Sequence, residues 1–266
     1  MTDRERAPSP SIDTTVPHTA RVWNYWLGGK DHFEVDRQVG DQTVAVFPQI
    51  RENALSQRAF LARAVRYLAG EAGIRQFLDI GTGLPTANNT HEVAQSVAPE
   101  CRIVYVDNDP LVLVHARALL TSNPLGATDY IDADLHDPDP ILREAVRTLD
   151  FEKPVALMLL GILAHLPYDD ARAVVRRLLA ELPSGSYLVV ADGANTNEAL
   201  VEGIRRYNEH ADPPYELRSP EQIASYFEGL ELVPPGVVPM PHWRPDLGET
   251  GPVTAVDGVG GVGRKP

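Results

Sequence analysis

The spacing of apolar residues changes character once along this 266-residue chain, near residue 75. Before that point apolar residues recur at helical intervals, which predicts helices over residues 20–27, 36–46 and 53–69. After it, short apolar runs alternate with further helical segments. Repeated strand–helix units of this kind predict a parallel, doubly wound α/β sheet that follows a helical extension.

The apolar runs predict five strands and, towards the C-terminus, a less regular region. Strands are expected at residues 77–80, 102–107, 129–131, 154–160 and 186–191, and helices at residues 89–98, 110–120, 138–149, 169–182, 195–210 and 220–228. Four prolines interrupt residues 230–243, which predicts an edge or irregular strand because proline cannot donate to a strand ladder. The glycine-rich residues 248–263 form either a tail or a last strand beside it.

Composition and charge restrict the class of protein. Hydrophobic residues make up 43% of the chain, enough for one α/β domain with a sizeable core. The net charge of −13 disfavours nucleic acid and anionic membranes as partners. A single cysteine, Cys101, excludes an internal disulfide. No apolar stretch approaches the ~20 residues of a membrane span, so we expect a soluble cytoplasmic protein.

Residues 77–86 carry the most informative motif. A short apolar strand that contains Asp79 runs into Gly81 and Gly83, which predicts a tight turn before a helix. Glycine permits positive φ and lets a ligand lie against the backbone, where the free N–H groups of the next helix would face it. A second apolar strand ends at Asp107, near the roughly 20-residue spacing expected of an acid that binds ribose hydroxyls. The pattern favours a nucleotide-type site over an ordinary strand–helix turn.

The ligand of this site is not expected to be a dinucleotide. Thr86 stands where the third glycine of a dinucleotide motif would fall. Instead, Asp79, Asp107 and Asp134 stand at the carboxyl ends of three predicted strands, where open α/β sheets bind ligands. Three carboxylates would repel a pyrophosphate. The ammonium group, ribose diol and adenine amine of S-adenosylmethionine would each find an acidic partner, so these acids favour that cofactor.

Six stretches between about residue 19 and the C-terminus match a known family. They are residues 20–31, 79–86, 106–110, 132–138, 239–246 and 260–265. The distinctive motifs are GTGLPT, which begins at Gly81, and LGGKD, which begins at Leu27. On these residues the chain resembles a class I S-adenosylmethionine-dependent methyltransferase. More narrowly, it resembles the actinobacterial S-adenosyl methyltransferase family that was long catalogued as a domain of unknown function.

The resemblance implies a Rossmann-like α/β fold with a mostly parallel, seven-stranded sheet whose last strand, residues 259–265, is antiparallel. Together with the polar, proline-rich start of the chain, it divides the protein into three parts. These are a disordered tail (1–17), an N-terminal helical lid or extension (18–74) and an S-adenosylmethionine-binding domain (75–266), the last two forming one compact unit. Two positions depart from the family pattern: His32 replaces an expected Asp or Asn, and Val259 an expected aromatic residue.

The resemblance also implies which residues bind the cofactor. They are Arg21, Tyr25, Asp79, Gly81, Gly83, Asp107, Asn108, Asp134, Leu135 and Gly161. Asp79 and the two turn glycines would hold the methionine part, and Asp107 the ribose hydroxyls. Asn108 and residues 134–135 would flank the adenine, and Gly161 would lie under the ligand.

The first helix, residues 20–27, has two interpretations. It carries three aromatic residues and an arginine, which is unusual for a helix on a protein surface. In one interpretation its aromatic side chains simply pack against the core. In the other it is a lid that closes the site, with Arg21 and Tyr25 pointing inward at the ligand.

The sequence assigns no catalytic residue. Methyl transfer is an in-line displacement at a sulfonium, which requires alignment and exclusion of water, and needs a general base only where the acceptor proton has a high pKa. His165 follows the fourth predicted strand and is the candidate base; the alternative is a loop histidine without a chemical role. The histidines at positions 18, 91, 115, 136, 210 and 242 lack metal-ligand spacing, and with one cysteine no metal is expected.

Three functions are compatible with these patterns. The leading hypothesis is an S-adenosylmethionine-dependent methyltransferase that acts on a small-molecule acceptor, because the chain has no basic surface for nucleic acid and a helical lid would enclose the cleft. The second is a catalytically silent regulator that binds S-adenosylmethionine or S-adenosylhomocysteine. The third, an NAD(P)-dependent oxidoreductase, is disfavoured by Thr86 and by the late start of the sheet. The sequence identifies neither the acceptor nor the oligomeric state.

Overall fold

In the computed structural model, which describes residues 12–119, 122–246 and 255–266, three helices precede the sheet. They are α1 (Thr19–Trp26), α2 (Glu34–Val46) and α3 (Ile50–Gly70). Of the predicted tail, residues 1–11 lie outside the described residues, and residues 12–17 belong to no helix or strand. The helical extension that the sequence predicts before the sheet is confirmed.

Five parallel strands form the main part of the sheet, close to the predicted positions. They are β1 (Gln76–Ile80), β2 (Arg102–Asp107), β3 (Ala127–Asp132), β4 (Ala156–Leu160) and β5 (Tyr187–Gly193). Their order in the sheet is β3-β2-β1-β4-β5. The chain therefore moves outward from β1 on one side and then returns to the other side, beginning with β4. This is the predicted doubly wound topology, whose switch point lies between β1 and β4.

The opposite edge of the sheet is antiparallel. Strand β8 (Gly258–Arg264) pairs antiparallel with β5, and on its other side with β6 (Glu231–Leu232) and β7 (Val238–Pro239). The antiparallel last strand is confirmed. The described chain contains eight strand segments instead of the seven expected, because the proline-interrupted sixth strand consists of two short pieces that both pair with β8.

The glycines of β8 allow large side chains to pack directly on the strand. A Cβ atom on Gly260 would lie 2.9 Å from the ring of Phe60 in α3, and one on Gly263 would lie 2.8 Å from the ring of Phe227. The two glycines face opposite sides of the sheet, as residues three apart in a strand do. Residues 258–264 of the glycine-rich sequence are therefore strand, with aromatic packing on both faces, whereas residues 248–254 lie outside the described residues.

In the part of the chain that the structure describes, six α-helices follow the first strand. They are α4 (Thr90–Val97), α5 (Pro110–Leu119), α6 (Pro138–Ala145), α7 (Tyr168–Glu181), α8 (Glu198–Tyr207) and α9 (Pro220–Ala224). The predicted Ser219–Gln222 capping box is present at the start of α9. Helix α8 is shorter than the predicted 195–210 because Asn197 caps it, accepting from the N–H of Ala199 at 2.9 Å. Among the described residues no helix is both long and apolar enough to cross a membrane.

Two apolar layers cover the faces of the sheet, and a third apolar cluster lies against the first helices. One face packs on α6, α7 and α9, and the other on α3 and α4. The third cluster joins α1, α2 and the start of α3 to α8. We call it the roof cluster; its buried members are Val22, Trp26, Val39, Phe47, Ile50, Ala54, Leu200, Ile204 and Tyr207. The sequence after β5 thus returns to pack on the N-terminal helices.

Candidate active site

A cavity of about 460 Å³ lies between the carboxyl ends of the central strands and the roof cluster. Residues that end or follow β1, β2 and β4 border one side of it. Trp26, Ile50, Leu200, Ile204 and Tyr207 of the roof cluster border the other. The volume falls in the range of about 300–1,000 Å³ that is common for small-molecule sites. The location is the one expected for a ligand in an open α/β sheet.

Eight of the ten residues predicted to bind the cofactor line this cavity. They are Asp79, Gly81, Gly83, Asp107, Asn108, Asp134, Leu135 and Gly161. Asp79 lies in β1, Asp107 ends β2, and Gly161 directly follows β4. The sheet topology therefore brings residues that are far apart in the sequence to one edge, and their roles as cofactor ligands remain predictions.

The expectation that Arg21 and Tyr25 face the ligand is wrong for this structure: the cavity enclosed by the described residues is not lined by either. Arg21 is 4% exposed and turns towards the fully buried Asp109, with Nε 3.1 Å from Oδ2. Tyr25 lies on the outer side of α1, where its hydroxyl donates to Asp41 Oδ1 at 2.5 Å. Both side chains find charged partners away from the cavity. The cavity-facing side of α1 consists mainly of Thr19, Ala20, Trp23, Asn24 and Trp26 instead.

The glycine turn after β1 holds its backbone open towards the cavity. Gly81 and Gly83 have φ values of +75° and +67°, which favour glycine strongly. The N–H of Gly83 donates to Asp107 Oδ2 at 2.8 Å, which ties the turn to the end of β2. A Cβ atom on Gly83 would meet no other atom within 4 Å. The turn therefore leaves free space at the position where a ligand would lie against it.

Asp107 is held in a fixed orientation at the end of β2. Its Oδ2 accepts from the Gly83 N–H, and its Oδ1 accepts from the N–H of Asp109 at 3.0 Å. Burial raises its pKa, an effect that these two hydrogen bonds oppose. Each carboxylate oxygen keeps a second acceptor position. A vicinal diol in the cavity could donate to both oxygens, so the geometry fits a ribose.

Asp79 is the second buried acid of the site. Its Oδ2 accepts from the hydroxyl of Thr90 at 2.6 Å, which links β1 to the first residue of α4. Burial raises the pKa of Asp79 to about 6, and the nearby Arg58 guanidinium acts in the opposite direction. A cationic ammonium group beside Asp79 would favour the ionised carboxylate and lower this pKa.

Arg58 is a cavity residue that the sequence analysis missed. It projects from α3, and its Nη2 donates to the carbonyls of Ala87 and Asn88 at 3.3 and 3.1 Å. Its Nε is buried and has no hydrogen-bond partner among the described residues. Burial lowers the pKa of Arg58, and Asp79 acts against that shift. An unpartnered guanidinium donor beside Asp79 matches an amino-acid group, which carries a carboxylate next to its ammonium.

The rim of the cavity near β3 is more exposed. Asp134 Oδ1 accepts from the backbone N–H of His136 at 2.9 Å and lies 2.7 Å from its ring Nδ1. Although partial burial acts to raise it, the pKa of Asp134 is lowered by these contacts with His136. Leu135 is buried beside this pair. An apolar side chain flanked by hydrogen-bonding groups suits a base such as adenine.

His165 lies where the cofactor side meets the roof cluster. Its Nδ1 is 3.1 Å from the carbonyl of Pro214, and its Nε2 is 3.2 Å from the hydroxyl of Thr19. Because a carbonyl only accepts, this network assigns the ring proton to Nδ1 and leaves Nε2 as an acceptor. Burial lowers the pKa of His165 to about 4, so the ring is neutral near neutral pH. The candidate base from the sequence thus lines the cavity in the proton-accepting form.

A further buried polar pair joins the cavity wall to the residue behind it: Tyr215 lines the cavity and Asp192 does not. The hydroxyl of Tyr215 accepts from the N–H of Gly193 at 3.1 Å and donates to Asp192 Oδ1 at 3.4 Å. Burial raises the pKa of Asp192 to about 7, with Arg218 acting in the other direction. Within the described part of the chain, no group of three or more histidine, cysteine, aspartate or glutamate side chains could hold a metal ion.

Taken together, the doubly wound sheet with its antiparallel last strand and the acids at the carboxyl ends of β1 and β2 define the class of S-adenosylmethionine-dependent methyltransferases. The family model described as S-adenosyl methyltransferase matches residues 5–266. The chain therefore belongs to the S-adenosyl methyltransferase family, whose cofactor is S-adenosylmethionine.

Solved structures agree with this assignment. A DUF574 family protein from Streptomyces avermitilis is 44% identical, covers 96% of this chain and 100% of its own, and superimposes with a TM-score of 0.91. Human N-acetylserotonin methyltransferase, solved with S-adenosylmethionine, is 13% identical with a TM-score of 0.52 over 91% of this chain and 62% of its own. The second likeness concerns the fold alone.

One similar curated protein is the carboxy-S-adenosyl-L-methionine synthase of Trichlorobacter lovleyi. It is 26% identical over 165 residues, which amounts to 60% of this chain. The match spans 63% of the length of that relative. The shared portion is thus less than two thirds of the relative.

Proposed function

We propose that the protein transfers the methyl group of S-adenosylmethionine to a small-molecule acceptor that binds in the same cavity. The observation that carries this proposal is the cavity itself. It extends from the acids and glycines of the central strands to the apolar side chains of α1 and α8. A cofactor held on the first side leaves the second side for an acceptor, shielded from water by the roof cluster.

The residues on the strand side are proposed to bind and orient the cofactor. Asp107 would accept from the ribose hydroxyls, and Asn108 with residues 134–135 would flank the adenine. Asp79 would face the ammonium group and Arg58 the carboxylate of the methionine part. The bound cofactor supplies an electrophilic methyl group on a sulfonium. Because several groups hold one ligand from different strands, the methyl group would be aimed in one direction, which lowers the entropic barrier to transfer.

The residues on the roof side are proposed to exclude water and to hold the acceptor. Trp23 and Leu217 add to the apolar wall that the roof cluster begins. A small and enclosed space favours a small molecule over a nucleic acid or a protein. The net charge of −13 points the same way, since a polyanion would be repelled.

Two other functions stay open to test. A silent regulator would bind the cofactor without turnover, but it would not need an apolar compartment beside the cofactor. The second function is the one for which the curated relatives are named, the synthesis of carboxy-S-adenosyl-L-methionine, in which the cofactor itself would be carboxylated. An NAD(P)-dependent oxidoreductase has no support from the family, whose cofactor is S-adenosylmethionine.

The experiment that tests the proposal begins with calorimetric titration of the full chain with S-adenosylmethionine, S-adenosylhomocysteine and NAD. Binding of the first two without NAD is expected. Incubation with S-adenosylmethionine and pooled small-molecule extracts, followed by mass spectrometry, should then yield S-adenosylhomocysteine together with a methylated compound. Tight binding of S-adenosylhomocysteine without turnover would favour the regulator. A carboxylated sulfonium product would favour the reaction named for the relatives.

A further inference from the structure

Asn24, Asn53 and Gln57 place polar groups in the wall that the roof helices present to the cavity. A further polar spot in this wall is built from three separate elements. Thr19 of α1, His165 after β4 and Tyr207 of α8 meet there, although they are distant in the sequence. The surrounding wall consists of the side chains of Trp23, Trp26, Ile50, Leu200, Ile204 and Leu217. Polar groups placed together in an apolar wall fix the orientation of a ligand.

The hydrogen bonds at this spot all run in one direction. The Nδ1–H of His165 donates to the Pro214 carbonyl, so its Nε2 must accept, and the Thr19 hydroxyl donates to it. His165 Nε2 is therefore the hydrogen-bond acceptor at this spot. An acceptor molecule that donates a hydrogen bond can take the place of Thr19 at this nitrogen.

The charges around the polar spot restrict which molecules fit. The described residues that line the roof side include no lysine or arginine, and their one carboxylate, Asp212, is exposed. His18, which also lines the cavity, already contacts the buried Asp109. The cavity's cation, Arg58, lies on the cofactor side, bonded to the carbonyls after the glycine turn. An anionic acceptor would lose its hydration in an apolar wall without gaining a counter-ion, which is costly.

We propose that the methyl acceptor is an uncharged, largely apolar molecule with a hydroxyl group, and that His165 Nε2 binds this hydroxyl and removes its proton. The proposal rests on the proposed function and specifies its substrate class and its base. In the reaction the acceptor oxygen forms a bond to the methyl carbon while the sulfonium carbon–sulfur bond breaks. The electron pair of that bond returns to sulfur, and the hydroxyl proton moves to Nε2, from which water later removes it.

As the bond to the methyl carbon forms, the acceptor oxygen gains positive charge and its proton becomes more acidic than an imidazolium. The proton can then move to His165 Nε2, although burial makes this ring a weak base. The Pro214 carbonyl that holds Nδ1–H would stabilise the imidazolium formed when Nε2 is protonated. Burial lowers the pKa of the ring to about 4, so Nε2 is unprotonated before the reaction and releases its proton readily afterwards. The base is therefore ready for each turnover near neutral pH without a preceding deprotonation.

Binding is tested first, in a form that needs no turnover. The full chain, saturated with S-adenosylhomocysteine, is titrated at neutral pH with 2-naphthol, 2-naphthylamine and 2-naphthoate, which share one ring system. We expect 2-naphthol to bind at least about tenfold more tightly than 2-naphthoate. Equal or tighter binding of 2-naphthoate, or absence of 2-naphthol binding, would overturn the proposed substrate class. Failure of S-adenosylhomocysteine to bind would instead overturn the proposed function and this proposal with it.

Turnover tests the base. With S-adenosylmethionine, the wild-type protein should convert 2-naphthol to its methyl ether. His165→Gln keeps a hydrogen-bonding side chain but cannot take up the proton, so its rate should fall by about 100-fold or more while 2-naphthol binding stays within about threefold. His210→Gln, at an exposed position outside the cavity, serves as the control and should match the wild type. Unchanged turnover in His165→Gln, or methylation of 2-naphthylamine in preference to 2-naphthol, would overturn the proposal.

Discussion

Arg21 of the first helix and Asp109 after β2 form a buried ion pair, with Nε 3.1 Å from Oδ2. His18 Nδ1 lies 3.0 Å from the same oxygen. Burial of Asp109 acts against its ionisation, but the hydrogen bonds from His18 and Arg21 lower its pKa to about 2. The N–H of Asp109 donates in turn to Asp107. The first helix is therefore fastened to the strand end that carries the proposed ribose ligand.

Replacing Arg21 by methionine is expected to affect stability more than cofactor affinity. The change leaves Asp109 buried without its guanidinium partner, which should lower the free energy of unfolding by about 3 kcal/mol. Arg21 does not line the cavity, so S-adenosylhomocysteine affinity should fall by less than about tenfold. Urea unfolding and calorimetry measure the two quantities.

Arg37→Met is the control for this experiment. Arg37 lies on the neighbouring helix α2 and pairs with Glu34 on the surface, so its loss should change the free energy of unfolding by no more than about 0.5–1 kcal/mol. A variant Arg21→Met with wild-type stability and no cofactor binding would contradict the structural role and restore the interpretation of Arg21 as a cofactor ligand.

Arg58 is expected to recognise the carboxylate of the methionine part. Arg58→Met removes a guanidinium whose Nε has no partner among the described residues, and S-adenosylhomocysteine should bind about 10- to 100-fold more weakly. 5′-Methylthioadenosine keeps the nucleoside but lacks the amino acid, so its affinity should be unchanged. Calorimetric titration of both ligands makes the comparison.

Two results would count against this role of Arg58. An equal loss of affinity for both ligands would mean that the variant distorts the turn, whose carbonyls at Ala87 and Asn88 accept from Arg58. An unchanged affinity for both would mean that the guanidinium contacts no ligand. Arg66→Met, on the same helix but paired with Asp246 at the surface, should bind both ligands as the wild type does.

Replacing Asp107 should instead weaken the binding of both ligands. Asp107→Ala removes both acceptors proposed for the ribose, and both S-adenosylhomocysteine and 5′-methylthioadenosine should lose about 1.5–3 kcal/mol of binding free energy. Asp129→Ala is the control, because Asp129 is an exposed residue of β3 that bonds to Thr148. If Asp107→Ala binds 5′-methylthioadenosine as tightly as the wild type does, the Asp107 carboxylate does not bind the ribose.

The parts of the site that the sequence predicts are those whose positions depend only on where a strand ends and on the parallel direction of the strands. Residues 102–107 form β2 at the predicted bounds. A parallel strand that is buried on both faces is an apolar run, and the first polar residue, here Asp107, marks its end at the edge of the sheet. The positions of the acids near the ends of β1 and β2 follow from the same rule. Once the strands are parallel, their carboxyl ends must share one edge, so Asp79 and Asp107 meet near the glycine turn.

The parts that the sequence does not predict depend on how the helices pack. Helix α1 is apolar on more than one side, because it contacts both the cavity and α2, so periodicity alone does not tell which side faces the ligand. Arg58 has the spacing of an ordinary surface arginine and reaches the site only because α3 crosses the glycine turn. Likewise, the contact of Thr19 with His165 joins residues 146 positions apart.

Asp192 should make the stability of the protein depend on pH. Burial raises its pKa from 3.8 to about 7, so between these values the folded chain holds a proton that the unfolded chain has released. The free energy of unfolding should therefore fall as pH rises from about 4 to about 7. Asp192→Asn removes this titration, and the decrease between pH 5 and pH 8 should shrink by roughly 1–3 kcal/mol.

Urea unfolding of both proteins at the two pH values measures this difference. Part of the decrease should remain in Asp192→Asn, since burial also raises the pKa of Asp79 to about 6 and that of Asp107. Asp170→Asn, at an exposed position of α7, should keep the full wild-type decrease. If Asp192→Asn also keeps the full decrease in the free energy of unfolding, the carboxyl of Asp192 in the folded wild-type protein is already ionised at pH 5. Arg218, which acts on it from the loop before α9, would then be its effective counter-ion.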